Sequence, residues 1–302
     1  MNSAFDIRTV SSTFIFNPRS GHNARNPYLL ERTQAFIAEH RLPAEIQLTA
    51  HPRHATQLAA DALARGHGAV VSIGGDGTLN EIAQALIDTP CVLGLIPCGS
   101  GNGLGRHLGI PGPSQTAFDT LLAGRLRAID CGLIAGHPFF NVAGLGFDAE
   151  ISARFNQLPR RGLLAYVQTT LRMWQSYRPA PYTVHTVNGP ITTPAFLIAV
   201  ANSDQYGNNC FIAPGARVDD GRLNLTILTG VHWRNALPLA YRLFRGSIHR
   251  SRTVVCLDAP QFTITRTAPG PIHTDGEVHL APARVDIQLK PLALHVVVPP
   301  TT

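Results

Sequence analysis

Residues 69–81 read AVVSIGGDGTLNE, and their types and order suit the handling of a phosphate. A β-branched apolar run (Ala69, Val70, Val71, Ile73) meets Gly74-Gly75-Asp76-Gly77. Leu79, Ile82, Ala83, Leu86 and Ile87 then recur at a spacing that lines one face of a helix. A strand, a glycine turn and a helix start leave main-chain N–H groups unpaired and pointing outward, where an anion can take them. Glycine lets the backbone approach closely and adopt conformations closed to other residues. Asp76 is the unusual member, because a carboxylate beside a polyphosphate is repelled unless a cation bridges them or it handles a proton. A plain tight turn in an α/β sheet is the competing reading, and Thr78, Asn80 and Glu81 following Asp76 weigh against it.

A second glycine-rich segment, Pro97-Cys98-Gly99-Ser100-Gly101-Asn102-Gly103-Leu104-Gly105-Arg106, follows the next strand. By itself it marks a turn. Paired with the first loop, it is expected to form the opposite lip of one crevice at the carboxyl edge of a sheet. Ser100 and Asn102 offer side-chain hydrogen bonds there, and Arg106 a guanidinium. Of the 25 lysines and arginines, only Lys290 is a lysine, and no Gly-Lys pair occurs. That excludes a Walker A loop and the phosphate-binding lysine of protein kinases. A phosphate must therefore be held by backbone amides, arginine or metal.

The elements that position these loops alternate strand and helix, as in a parallel, doubly wound sheet. Strands are expected at Thr13–Phe16, Glu45–Thr49, Val70–Ile73 and Val92–Ile96, and helices at 28–40, 54–65 and 116–123. After Asp130 the texture changes to short strand-like runs separated by Gly, Pro and Asn: 138–142, 182–187, 196–200, 223–228, 253–257, 262–265, 285–289 and 294–298. These predict a largely antiparallel β domain interrupted by helices near 162–176 and 233–245.

The chain of 302 residues is 44% apolar and 15% charged, so it is globular rather than disordered. No run of about 18 apolar residues is present, so no membrane span is expected, and the first residues lack a secretory apolar region. Cys91, Cys98, Cys131, Cys210 and Cys256 are scattered without CxxC spacing, which predicts reduced, buried thiols in the cytosol and no zinc site. Two basic runs contain no acid. Residues 151–180 carry Arg154, Arg160, Arg161, Arg172 and Arg178, and residues 232–252 carry Arg234, Arg242, Arg245, Arg250 and Arg252 beside Trp233, Leu237, Tyr241 and Phe244. Either run suits an interfacial helix on anionic lipid, or a helix packed on a sheet with a solvated basic face. The net charge of +6 comes with no nucleic-acid-binding motif, so no nucleic acid is expected as a partner.

The ordered set Asn17-Pro-x-Ser-Gly21, Gly74-Gly-Asp-Gly-Thr78, Pro97-x-Gly-Ser-Gly-Asn102 and Asp275-Gly-Glu277 resembles the diacylglycerol kinase and sphingosine kinase catalytic superfamily. The likeness extends to Gly146-Phe-Asp148, Ala213-Pro214 and Asp219-Asp220-Gly221, and so runs over nearly the whole chain. It is nearest to the short bacterial lipid kinases. The resemblance implies an α/β fold with an N-terminal Rossmann-like, NAD-kinase-like domain (residues 1–130) followed by a β-sandwich-like lipid and metal domain (131–302). In the family the active site lies in the cleft between them.

The implied activity is transfer of the γ-phosphate of ATP, with Mg2+, to a lipid hydroxyl, either diacylglycerol-like or sphingoid-like. By motif position Gly74, Gly75, Asp76, Gly77, Thr78, Leu79 and Asn80 would cradle the nucleotide, with Thr49 and Ser100 as further contacts. The family's structural magnesium would fall on the Asp220 carboxylate and the main-chain carbonyls of Arg217 and Arg222. The resemblance assigns the substrate proton to Glu277, with Asp275 positioning the loop or metal, and the sphingosine kinases suggest Asp76 as a rival base. Many bacterial relatives carry Asp where this chain has Gly103, as part of a network with catalytic magnesium that Asp130 could still serve alongside Asp76; the change leaves the lipid open. The implied partner is a lipid substrate at a membrane surface, met by a cytoplasmic protein with peripheral contact on the inner face; a homodimer is one outcome for its assembly. Two alternatives stand beside this reading: an NAD kinase acting on a ribose hydroxyl, and a non-catalytic nucleotide- or lipid-binding protein.

Overall fold

The computed structural model describes residues 4–24, 28–156, 173–174, 176–187 and 189–300. The chain divides into two compact units, Met1–Asp130 with Pro291–Thr302, and Cys131–Lys290.

In the first unit the order is β1 (Ser12–Phe16), α1 (Tyr28–Glu39), β2 (Ala44–Leu48), α2 (His54–Ala64), β3 (Ala69–Gly74), α3 (Asp76–Leu86), β4 (Val92–Pro97), α4 (Gly103–His107) and α5 (Gln115–Ala123). The strands lie parallel in the order β2-β1-β3-β4. Every residue of β1, β3 and β4 is buried, whereas β2 at the edge is only partly covered. A parallel sheet is covered on both faces, which is why its inner strands are mainly apolar rather than alternating, with only Ser12, Thr13 and Ser72 as polar members. The expected strands and helices of this region are present to within a residue, and the short α4 is an addition.

β5 (Arg125–Ile134) leads into the second unit, whose elements are β6 (His137–Phe139), β7 (Val142–Gly146), α6 (Phe147–Asn156), β8 (Ala180–Thr186), β9 (Gly189–Ala195), β10 (Leu197–Ala201), β11 (Leu223–Leu228), α7 (Trp233–Phe244), β12 (Val254–Ala259), β13 (Gln261–Arg266), β14 (Gly270–Thr274), β15 (Glu277–Ala281) and the long β16 (Arg284–Val298). One sheet runs β12-β11-β10-β7-β14-β15; β9, β8, β13 and the start of β16 form another. Leu145, Ile198, Leu225 and Ile272 from the first meet Val184, Ile264 and Ile287 from the second in one buried cluster, the core of a β-sandwich. Pro190 and Pro194 are tolerated in β9 because it is an edge strand.

Three expectations change. The strand expected over 138–142 is two strands, because the main chain at Phe140, Asn141 and Val142 turns its N–H groups to the Asp275 carboxylate. The runs 285–289 and 294–298 are one strand, β16. Its last part pairs in parallel with β4, so residues 291–302 belong to the first unit rather than to a domain 131–302. The buried Asp130 carboxylate holds that return, accepting the Leu292 N–H at 2.8 Å. The helix expected near 162–176 falls almost wholly outside the described residues, as do Arg160, Arg161 and Arg172. All five cysteines are free thiols, but only Cys91, Cys98 and Cys131 are buried; Cys210 is partly buried and Cys256 is exposed. Among the described residues, no helix is long and apolar enough to cross a membrane.

Candidate active site

Three loops meet at the carboxyl ends of β1, β3 and β4. Gly75 is the cap residue of α3 and makes no side-chain cap. Leu79 N–H donates to the Gly75 carbonyl at 3.0 Å, so the N–H groups of Asp76, Gly77 and Thr78 are the first-turn donors that have no helical acceptor. The positive end of the helix dipole adds to them, and together they make an anion seat. A Cβ on Gly77 would meet nothing within 4 Å, so the outer side of this turn is open. Gly75 differs: its Cβ would stand 3.2 Å from Gly99 Cα, and a Cβ on Gly99 would stand 2.8 Å from Gly75 Cα. The two glycine loops thus pack backbone on backbone, and Gly75 is required by the neighbouring loop itself.

The turn after β1 ties the loops together. Asn17 donates from Nδ2 to Thr78 Oγ1 at 2.8 Å, and Ser20 Oγ donates to the Cys98 carbonyl at 3.2 Å. Thr49, at the end of β2, donates its N–H to the Phe16 carbonyl at 2.9 Å, which sets it on the same edge of the sheet. Ser100 is exposed and so is Arg19, a cation on the first loop that motif reading passed over. Thr78, Leu79 and Asn80 are buried, so their side chains face the interior, and what this turn offers outward is main chain. Glu81 accepts the N–H groups of Arg53 and Ala55 at 3.0 and 3.1 Å, so it serves the start of α2.

Asp76 and Asn102 are engaged between the loops. The Asp76 carboxylate accepts the Asn102 and Gly103 N–H groups, both at 2.9 Å. Asn102 lies in the left-handed region (φ +51°), where Asn is tolerated, and opens α4. Arg106 Nε donates to the Gly101 carbonyl at 3.0 Å, so it braces the loop.

In the second unit, β14 and β15 form a hairpin whose two turn residues, Asp275 and Gly276, have φ of +50° and +86°. Asp-Gly suits such a turn because both positions need positive φ. Asp275 does not face outward: its oxygens accept the N–H groups of Phe140, Asn141 and Val142 at 2.9–3.0 Å. Glu277, the first residue of β15, is exposed. The sequence therefore placed two acids in one turn, and the fold gives one to the backbone and one to the surface.

Behind the hairpin lies a pair that spacing did not indicate. His273 Nε2 is 2.9 Å from Asp148 Oδ2, with both side chains buried, and Tyr206 donates its hydroxyl to the same oxygen. Burial opposes charge on both groups. The charges facing each other at this distance outweigh it, holding the Asp148 carboxyl below its usual range and raising the His273 imidazole above its own. Gly144 makes the room, since a Cβ there would lie 2.5 Å from His273 Nε2 and 2.6 Å from Asp148 Oδ2. Asp148 stood in a motif, but neither Gly144 nor Tyr206 carried a signal.

The Asp219-Asp220-Gly221 segment is a surface turn. Asp220 Oδ1 accepts the Arg222 N–H at 3.0 Å, and the Arg217 and Arg222 side chains pair with Asp219 and Asp258. Only the main chain of the two arginines is thus suited to a cation. One carboxylate with main-chain carbonyls is a hard oxygen set that fits magnesium with water completing its shell. Among the described residues, no three His, Cys, Asp or Glu side chains cluster as a metal site.

This geometry, a glycine-loop α/β unit and a β-sandwich unit with an acidic hairpin, matches two family models. Residues 11–134 match the diacylglycerol kinase catalytic domain, and residues 141–298 match the YegS C-terminal NAD kinase beta sandwich-like domain. The chain belongs to this family of two-domain diacylglycerol kinase relatives. It is 30% identical to a diacylglycerol kinase of Mycobacterium tuberculosis over 95% of this chain and 94% of that protein. It is also 28% identical to a diacylglycerol kinase of Bacillus subtilis over 87% of this chain and 88% of that one. The fold resembles a solved diacylglycerol kinase structure from Bacillus anthracis str. Sterne, with TM-score 0.71 and 18% identity over 96% of this chain and 98% of that chain.

Proposed function

We propose that this protein is a lipid kinase that transfers the γ-phosphate of ATP, with Mg2+, to the hydroxyl of a diacylglycerol-like or sphingoid-like lipid. The observation that carries the reading is the first turn of α3, where helical pairing begins only at Leu79 and the space beside Gly77 is open. The family membership supports it, and so does the lack of any Gly-Lys phosphate loop.

In this mechanism the N–H groups of Asp76, Gly77 and Thr78 hold the phosphates, with the Ser100 hydroxyl, Thr49 and the Arg19 guanidinium as further contacts. Leu79 and Asn80 contribute by fixing the turn from within. Asp220 and the carbonyls of Arg217 and Arg222 would hold a magnesium ion, and bound magnesium supplies positive charge against phosphate and carboxylate oxygens. Glu277 takes the proton of the lipid hydroxyl as its oxygen bonds to the γ-phosphorus, and the bond to the ADP oxygen breaks. Asp275 positions the hairpin. Asp76, hydrogen-bonded as an anion to two N–H groups, is the poorer proton acceptor. The reading places the protein in the cytoplasm, working at the inner face of a membrane.

The test is transfer of labelled phosphate from ATP to a lipid extract in mixed micelles, with NAD as a parallel acceptor. Label in the lipid phase that requires magnesium is the expected result. Label in NAD would transfer the assignment to the activity for which the C-terminal family model is named.

A further inference from the structure

Helix α7 (Trp233–Phe244) presents three different faces. Leu239 is buried and Leu243 packs on a core cluster, which anchors one side. Trp233, Leu237, Tyr241 and Phe244 point away from it, 76%, 81%, 66% and 55% exposed. At about 100° per residue these four fall within an arc of roughly 80°, so they form one continuous ridge. Arg234, Arg242 and Arg245 follow on the next arc, and the Arg234 guanidinium lies 5.0 Å from the Trp233 ring centroid.

An exposed ridge of four large apolar side chains is costly in water and marks a surface that meets something else. Its charge says what. Between Asp220 and Asp258 there is no acidic residue, while Arg222, Arg234, Arg242, Arg245, Arg250 and Arg252 all fall there. A two-fold contact with a second copy would bring these arginines against their own counterparts. An anionic bilayer offers both halves of the match, acyl chains for the ridge and phosphates for the guanidinium groups, and Trp and Tyr suit the boundary between them.

We propose that α7 docks this protein in the interface of an anionic phospholipid bilayer, with Trp233, Leu237, Tyr241 and Phe244 at the acyl boundary and the flanking arginines on the headgroups. The inference rests on the lipid-kinase reading for the identity of the surface, and it assigns that contact to α7. The ridge borders a groove of about 350 Å³ lined by Trp174, Tyr177, Arg178, Phe196, His232 and Trp233, which continues the pairing of aromatic rings with basic side chains beyond α7.

The experiment is co-sedimentation with phosphatidylcholine vesicles with and without phosphatidylglycerol. The full chain is compared with Leu237→Ser/Phe244→Ser and with Arg242→Ser/Arg245→Ser. Wild type should sediment with the anionic vesicles and weaken as salt rises, and each double variant should bind roughly tenfold more weakly. Tryptophan emission of the wild type, which has only two tryptophans, should be quenched by lipids brominated on the acyl chain. Equal sedimentation of all three proteins, or no quenching, overturns the proposal. So does a ridge variant whose mass by light scattering halves while its sedimentation is unchanged, which would make the ridge a dimer face. Sedimentation reads docking alone, and phosphate transfer in mixed micelles reads the kinase alone, so each can fail without the other.

Discussion

Asp76 and Asn102 close the two glycine loops on each other: Asp76 Oδ2 accepts the Asn102 N–H at 2.9 Å, while Asn102 Oδ1 accepts the Gly99 N–H at 2.8 Å. An acid that sequence alone leaves as either a metal or proton group is thus engaged with two backbone donors. Asp76→Asn would turn an amide donor toward one of those N–H groups. The expected outcome is a loss of about 1–3 kcal/mol in stability together with weaker ATP binding. Denaturant titration and calorimetry check it. Loss of turnover with both quantities unchanged would instead make Asp76 the base.

Gly77 faces open space and Gly75 faces the second loop, so the two separate the proposed phosphate approach from loop packing. Gly77→Ala adds a methyl group in open space on a helix, where alanine is favoured, so the melting temperature should not fall. ATP affinity should drop about tenfold, or about 1.4 kcal/mol, because the methyl group occupies the phosphate side. Gly75→Val should lower both stability and affinity, because the side chain meets Gly99 Cα. Calorimetry showing unchanged ATP affinity in Gly77→Ala would remove the anion seat from this turn.

The Asp148–His273 pair predicts a pH dependence with two signs. The Asp148 carboxyl is held low, so its contribution is present above the ordinary carboxylate value of about 3.9 and is lost as acid reaches its depressed value. His273 is raised, so its contribution is complete below the ordinary imidazole value of about 6.5 and is lost as pH rises through its elevated value. The pair should matter most between about pH 4 and pH 6.5. In Asp148→Asn burial would be opposed only by the charge of Asp275, and the His273 titration, followed by NMR, should move down from its wild-type position. A wild-type His273 signal titrating below 6.5 would contradict the pairing.

Glu277→Gln keeps the shape of an exposed residue at the hairpin and removes its capacity to take a proton. Turnover on lipid should fall about 100-fold or more, with ATP affinity and melting temperature unchanged. Near-normal turnover in this variant would return the base to an open question. Asp275→Asn offers a contrast, because it weakens the hold on Phe140, Asn141 and Val142 and should cost stability as well as rate.

The sequence by itself determined the α/β unit and the glycine turn that opens α3, because both rest on local signals. An apolar strand, a glycine turn and a helical period lie within residues 69–87, and the buried parallel strands read as short, mainly apolar runs. Asp275-Gly276 carries the residues of a turn for the same reason, since positive φ at two successive positions is a local property, but the strands 270–274 and 277–281 that make it a hairpin were not among those expected. The division of labour among the acids was not. Asp76, Glu81, Asp130 and Asp275 are alike as residues, and each is assigned by donors contributed from distant segments: Asn102, Arg53, Leu292 and Phe140–Val142. The Asp148–His273 contact spans 125 positions and needs the bare Cα of Gly144 between two strands, so no spacing rule could have found it. The return of residues 291–302 to β4 is likewise a pairing between chain segments far apart, decided by which sheet edge remained to be covered. Local conformational preference is written in neighbouring residues, whereas the role of a charged group is set by what tertiary packing places against it.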